Sequence, residues 1–241
     1  MRICAWNVNN RVGRVPFRTE AAYAAAAIDV DVIVLNEFYP AGRQDEFLAV
    51  LRDAGWPHQL MSRDTGVKAN RILIASRLPL EPLDLALPTF DAQFPANVAG
   101  AYVPGLGLKL VGLRVPAYGG ATAPFLPMAW DWIEATAASL REEPAIMLGD
   151  LNTSVSSTGA GTRPQLARML GSGWTRAAPT NGPSFFGSSG ARAEIDHVLS
   201  TALCYVEEAG FVTRAGPFVL AGDERALSDH AALVCRVRVV N

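Results

Sequence analysis

The chain has 241 residues, half of them hydrophobic and 18% charged, a balance that excludes a disordered or fibrous polymer and can supply a large core. The formal net charge is -2 and the 21 Lys and Arg residues are scattered, which argues against a tight, sequence-independent grip on long nucleic acid. No apolar run reaches the ~18 residues of a membrane helix, and Met1 to Trp6 enters an apolar strand without signal-peptide features. A cytoplasmic monomer is therefore expected, folded as one domain over residues 1–241.

In chain order, short runs rich in Val, Ile and Leu predict strands at Ile3 to Trp6, Val32 to Leu35, Ile72 to Ala75, Leu108 to Leu113, Ala145 to Leu148, Ile195 to Leu199 and Ala231 to Val239. Helix-like stretches fall at Arg18 to Ile28, Asp45 to Ala54, Pro124 to Leu140 and Pro164 to Leu170, with Gly55 and Gly171 as helix stops. The five prolines from Pro79 to Pro104 predict strands and turns rather than helix. Thr153 to Thr162 and Pro179 to Arg192 read as loops. Cys4, Cys204 and Cys235 each sit in an apolar stretch and are expected to be reduced core thiols. Helix and strand alternate early and strands dominate late, so mixed sheets covered by helices are expected.

The informative pattern is where the polar residues fall. Apolar runs end at Asn7, at Asn36-Glu37, at Arg114 and at Gly149-Asp150-Leu151-Asn152, while Asp196 and Asp229-His230 stand at the start of two others. Strand starts and strand ends meet at one sheet edge only where neighbours run antiparallel, so convergence of these six sites requires mixed or antiparallel sheets.

Alternation along an extended chain would turn Asp150 and Asn152 to one face with Leu151 packed inward, letting a carboxylate and an amide reach the same water. The same pair is also at home in an ordinary β-turn. Glu37 follows four apolar residues and needs a partner or an ion, and a hard cation such as Mg²⁺ suits a carboxylate. Asp196 can hold the His230 imidazole so that the ring meets a phosphoryl oxygen as a cation. His197 is expected to point the other way and to be structural.

These residues, in this order, resemble the endonuclease/exonuclease/phosphatase superfamily with its DNase I-like fold. The motifs that carry the resemblance are Trp6-Asn7, Leu35-Asn36-Glu37, Gly149-Asp150-Leu151-Asn152, Ile195-Asp196-His197 and Ser228-Asp229-His230. The resemblance implies an α/β fold, a four-layered sandwich of two mixed, mostly antiparallel sheets packed face to face with helices outside. It also implies a Mg²⁺- or Mn²⁺-dependent phosphoester hydrolase. Glu37, with Asn7 and Asp229, would hold the metal; Asp150 and Asn152 would activate and position water; and His230, oriented by Asp196, would neutralise the phosphoryl group.

Where many members carry His or Tyr, this chain has Arg114. An arginine can clamp phosphate but cannot act as a general acid, which leaves the leaving-group acid open. Asn70 and Arg71 are further candidate phosphate contacts. A phosphodiesterase or nuclease acting on nucleic acid is the first expectation. The alternatives are a phosphatase on a small or lipid-derived phosphate and a catalytically silent binding module of the same fold. Specificity would lie in the loops Pro88 to Asn97, Ala117 to Pro124 and Pro183 to Arg192, with Phe185 and Phe186 as stacking or packing residues.

Overall fold

Branched apolar runs bounded by Gly, Pro and polar residues become strands here, and the Ala-, Leu- and Trp-rich stretches between them become helices. A computed structural model describes residues 1–9, 19–39, 43–66, 69–155 and 164–240. The first part of the chain forms β1 (Arg2–Asn7), α1 (Glu20–Ala26), β2 (Val32–Phe38), α2 (Gln44–Asp53), β3 (His58–Met61) and β4 (Arg71–Ser76). The middle forms β5 (Glu81–Pro82), β6 (Val98–Val103), β7 (Leu108–Leu113), α3 (Phe125–Leu140), β8 (Ala145–Asp150), α4 (Pro164–Gly171) and β9 (Trp174–Arg176). The last part is β-rich: β10 (Phe185–Phe186), β11 (Arg192–Ala193), β12 (Asp196–Thr201), β13 (Cys204–Val212), β14 (Arg214–Ala215), β15 (Phe218–Val219) and β16 (Ala232–Val239).

Two six-stranded sheets result, ordered β13-β16-β1-β2-β4-β3 and β5-β6-β7-β8-β12-β9. Each has a single parallel pair, β1 with β2 and β7 with β8, inside an otherwise antiparallel sheet. The facing sides of the sheets share one core, which includes Ile3, Val34, Ile72, Leu110, Leu148 and Leu233. A second core packs α1 and α2 onto the first sheet, and a third packs α3 and α4 onto the second. The layers therefore run helix, sheet, sheet, helix. The sheets approach closely at Gly112, where a Cβ would lie 2.6 Å from Val34 Cγ1.

Several sequence expectations change in detail. The strand through Val32 continues to Phe38, and its register against β4 shifts between Leu35 and Phe38. This bulge carries Asn36 and Glu37. The Pro79 to Pro104 stretch holds a short 3₁₀ turn, Phe94–Asn97, beside its strands. Gly171 is the last residue of α4 rather than a stop beyond it; the left-handed turn falls on Gly173. The Pro179 to Arg192 loop contains the β10–β11 hairpin. Of the loop at Thr153 to Thr162, residues 156–162 lie outside the described residues, as does Arg18. The three cysteines are buried and free. Among the described residues no helix is long and apolar enough to cross a membrane.

Candidate active site

β1 and β2 are parallel and both end at the same edge, where Asn7 pairs in register with Asn36. In the second sheet β8 runs into this edge and antiparallel β12 starts from it, so Asp150 and Asp196 are register partners. His230 immediately precedes Ala231 and β16, which is antiparallel to β1. The mixed topology thus gathers strand ends and strand starts at one place. A cleft of about 550 Å³ opens there, lined by Glu37, Asn70, Arg114, Asp150, Asn152 and His230 together with Asp91, Gln93, Asn97, Tyr118, Phe185 and Ile195.

Asp150 is the hub. It is buried, and its Oδ2 accepts hydrogen bonds from Asn7 Nδ2 at 3.0 Å and Asn152 Nδ2 at 3.2 Å. Its Oδ1 accepts the Asn152 backbone N–H at 2.9 Å. Asp150 and Asn152 do face one cleft, but not by strand alternation. The strand stops at Asp150, and Asn152 takes φ +46 in a tight turn, with its amide also donating to the Val115 carbonyl at 2.7 Å. The turn and the Asp150–Asn152 pair are one structure.

Gly149 makes this possible. Its φ is +142, and a Cβ there would lie 2.0 Å from the Leu113 carbonyl oxygen. That carbonyl also accepts Asn36 Nδ2 at 2.8 Å, a bond between the two sheets directly beneath the site.

Burial first, and then the Asp196 charge, push the Asp150 carboxyl up to about 6; His230, Arg114 and the Asn152 N–H pull the other way. His230 Nδ1 donates to Asp196 Oδ2 at 2.8 Å. Burial disfavours the charged ring, but Asp196, then Asp150 and Asp229, outweigh it and push His230 up to about 9. The imidazole is therefore a cation at neutral pH. The turn carrying it is fixed by Ser228, whose hydroxyl donates to the Asn7 carbonyl at 2.6 Å and accepts the His230 N–H at 3.0 Å, and by Trp6 Nε1 donating to the His230 carbonyl at 2.9 Å. Phe185 packs on the imidazole with ring centres 5.2 Å apart.

His197 faces away from the cleft. It accepts from Arg176 Nε at Nδ1 and donates from Nε2 to the Thr153 carbonyl, and burial lowers its pKa to about 4. A neutral ring thus pins the residue that follows Asn152.

The remaining candidates divide. Glu37 is buried, at φ +52 on the bulge, and its Oε1 meets Arg114 Nη2 at 2.5 Å. Asn70 lines the cleft. Asp229 lines an adjoining cavity of about 790 Å³ instead, and its Oδ1 is 3.9 Å from His230 Nε2. Arg71 is not among the cleft-lining residues: its guanidinium donates to the Ser62 carbonyl and lies 3.7 Å from Asp64, so its charge serves the β3–β4 turn.

The motif reading missed Asn97 and the Tyr118–Asp91 hydrogen bond, 2.7 Å long at the cleft wall. Asn97 is buried and accepts from Arg114 Nη1 at 3.3 Å. It stands immediately before the apolar strand β6, so the strand-end pattern could have found it. Tyr118 gave no such signal.

The donor set fits a hard divalent cation. Glu37 and Asp150 bring two buried carboxylates to the cleft, with the buried Asp196 beside Asp150, against Arg114 and a charged His230, and oxygen is the ligand such an ion prefers. Donor atoms of Asp150, Asp196 and His230 all lie within 4.8 Å of one another. In that trio Asp196 Oδ2 is engaged by the imidazole and its Oδ1 is buried without a hydrogen-bond partner among the described residues, while Asp150 Oδ2 accepts from Asn7 and Asn152.

Residues 4–230 match the Endonuclease/Exonuclease/phosphatase family. No curated protein matches the chain. Among solved structures, the chain is similar to a 3'-5' exonuclease from Neisseria meningitidis, with 21% identity and a TM-score of 0.71 over 99% of this chain and 100% of that one. It is similar also to a Neisseria 3' phosphatase bound to product DNA hairpin, with 21% identity and a TM-score of 0.72 over 98% of each chain. A third is an AP endonuclease from Archaeoglobus fulgidus, with 17% identity and a TM-score of 0.70 over 98% of each chain. At these identities the likeness establishes the fold.

Proposed function

The chain belongs to the endonuclease/exonuclease/phosphatase family, and from that premise we propose that it is a divalent-metal-dependent phosphodiesterase acting on nucleic acid, with Asp150 as the base that activates water. The observation that carries this reading is the buried Asp150, held by Asn7 and Asn152 in the same cleft as a cationic His230. A carboxyl near 6 is ionised at neutral pH yet basic enough to accept a proton from water. Asn152 orients that water. His230, kept charged by Asp196, receives the negative charge that builds on the phosphoryl oxygens.

Glu37 and Asn7 would hold Mg²⁺ or Mn²⁺, which supplies Lewis-acid polarisation of the phosphoryl group when bound. Arg114 offers N–H donors to phosphate oxygens. The six residues of this set, Asn7, Glu37, Asp150, Asn152, Asp196 and His230, stand together at one edge of the sheets, which speaks against a silent binding module.

One observation favours a second reading, a phosphatase on a small phosphate. The cleft is lined by neutral Asn70, Gln93 and Asn97 and by acidic Asp91, with Arg114 and His230 as its cationic side chains. That is little positive charge for gripping a polyanion. A substrate panel in Mg²⁺ and in Mn²⁺, pairing DNA and a chromogenic diester with phosphorylated sugars and inositols, tests the proposal. Faster diester turnover is expected; faster turnover of the monoesters would replace the first reading with the second.

A further inference from the structure

Arg114 follows β7 directly, and its guanidinium is committed inside the cleft. Nη2 meets Glu37 Oε1 at 2.5 Å, Nη1 donates to Asn97 Oδ1 at 3.3 Å, and Nε lies 3.9 Å from Asp150 Oδ2. The two side chains of the Glu37 pair are 14% and 3% exposed, so water screens their attraction weakly. Nε is buried without a hydrogen-bond partner among the described residues, a spare donor in a cleft meant for phosphate. The carboxylate that Arg114 occupies is the one the proposed reaction assigns to the metal.

A guanidinium and a divalent cation on one carboxylate repel each other across a few ångströms of poorly screened space. Each therefore weakens the hold of the other. The tether to Asn97 is neutral and does not compete, so a guanidinium displaced from Glu37 stays in the cleft.

We propose that Arg114 is an internal cation that competes with the divalent metal for Glu37, and that metal binding releases its guanidinium to the phosphoryl oxygens of the substrate. The inference rests on the metal-dependent hydrolase reading of this cleft. It makes the metal and the phosphate clamp thermodynamically linked: the ion pair steadies the buried carboxylates before metal arrives, and the same arginine becomes available for substrate afterwards.

Calorimetric titration of Mn²⁺ into chelator-stripped wild-type protein and Arg114→Gln tests it. The variant is expected to bind Mn²⁺ about tenfold more tightly, and its metal-free form to melt at a lower temperature than wild type. Equal or weaker Mn²⁺ binding by a folded variant overturns the inference and leaves the hydrolase reading standing. Wild-type protein that binds no Mn²⁺ overturns both. If the variant does not fold without metal, NMR of isotope-labelled arginine in the wild type decides. Saturating Mg²⁺ should shift the Arg114 guanidinium signals and expose them to exchange; signals unchanged at saturation overturn the inference.

Discussion

β1 and β2 in one sheet and β7 and β8 in the other are equivalent parallel pairs, crossed over by α1 and α3 respectively, yet their ends are bent by different means. The first pair delivers Glu37 through a bulge, with a non-glycine residue at φ +52. The second delivers Asp150 through Gly149 at φ +142 and closes the turn with Asn152 at φ +46. Of the four non-glycine residues with positive φ among the described residues, Asn9, Glu37 and Asn152 all lie on these strand ends or just beyond them. Strained backbone is concentrated where side chains must be aimed. Two equal scaffolds become one asymmetric site by local bending: one pair offers the carboxylate proposed for the metal and the other the proposed base.

The comparison breaks most visibly at His230. Its replacement by Ala should lower turnover by about 10²–10³ while leaving Mn²⁺ affinity nearly unchanged, because the proposed mechanism sets the ring against phosphate rather than metal. Asp196→Asn should give a smaller loss of turnover by weakening the hold on the imidazolium. A large loss of Mn²⁺ affinity in His230→Ala, read by calorimetry, would instead make the histidine a ligand.

Glycine replacement sharpens the contrast between the sheet interior and the site. Gly149→Ala sets a Cβ against a carbonyl of fixed backbone and should cost roughly 3 kcal/mol or more in denaturant unfolding. Gly112→Ala meets the Val34 and Ile72 side chains, which can shift, and should cost about 1–3 kcal/mol. Equal costs would mean that the turn at Gly149 relaxes as readily as the core.

The smallest effect is on pH. The proposed mechanism needs Asp150 ionised and His230 protonated, so turnover should rise through about 6 and fall through about 9. His230 has a raised pKa in the folded state. The stability it contributes is therefore complete below its ordinary 6.5 and should drain away in chelator as pH climbs from there through about 9. A flat melting temperature across that window would deny the Asp196–His230 pair its charge.

Most of this plan is legible in the sequence because buried strands announce themselves as apolar runs, and the polar residues at their ends stand out against that background. That Asn7, Glu37, Asp150, Asp196 and His230 can meet at one edge only in mixed or antiparallel sheets follows from strand direction. Other features have no such contrast. β13 is interrupted by Glu207-Glu208 and exposes Tyr205, and the half-buried β3 is short, so neither reads as a strand. The bulge at Glu37 carries no glycine to mark it. Arg71 and Arg114 both flank apolar strands, and only the fold turns one toward a turn carbonyl and the other toward Glu37 and Asn97. The cross-sheet bond from Asn36 depends on a contact 77 residues away, which periodicity does not encode.

Asp150 is proposed to activate the attacking water in a metal-dependent cleft. The most direct test is single-turnover hydrolysis of a chromogenic phosphodiester by wild type and Asp150→Asn, each with Mn²⁺ and with chelator. Metal-dependent cleavage by wild type is expected, with a loss of about 10²–10⁴ in the folded variant. Cleavage that persists in chelator, or a variant as fast as wild type, would contradict it.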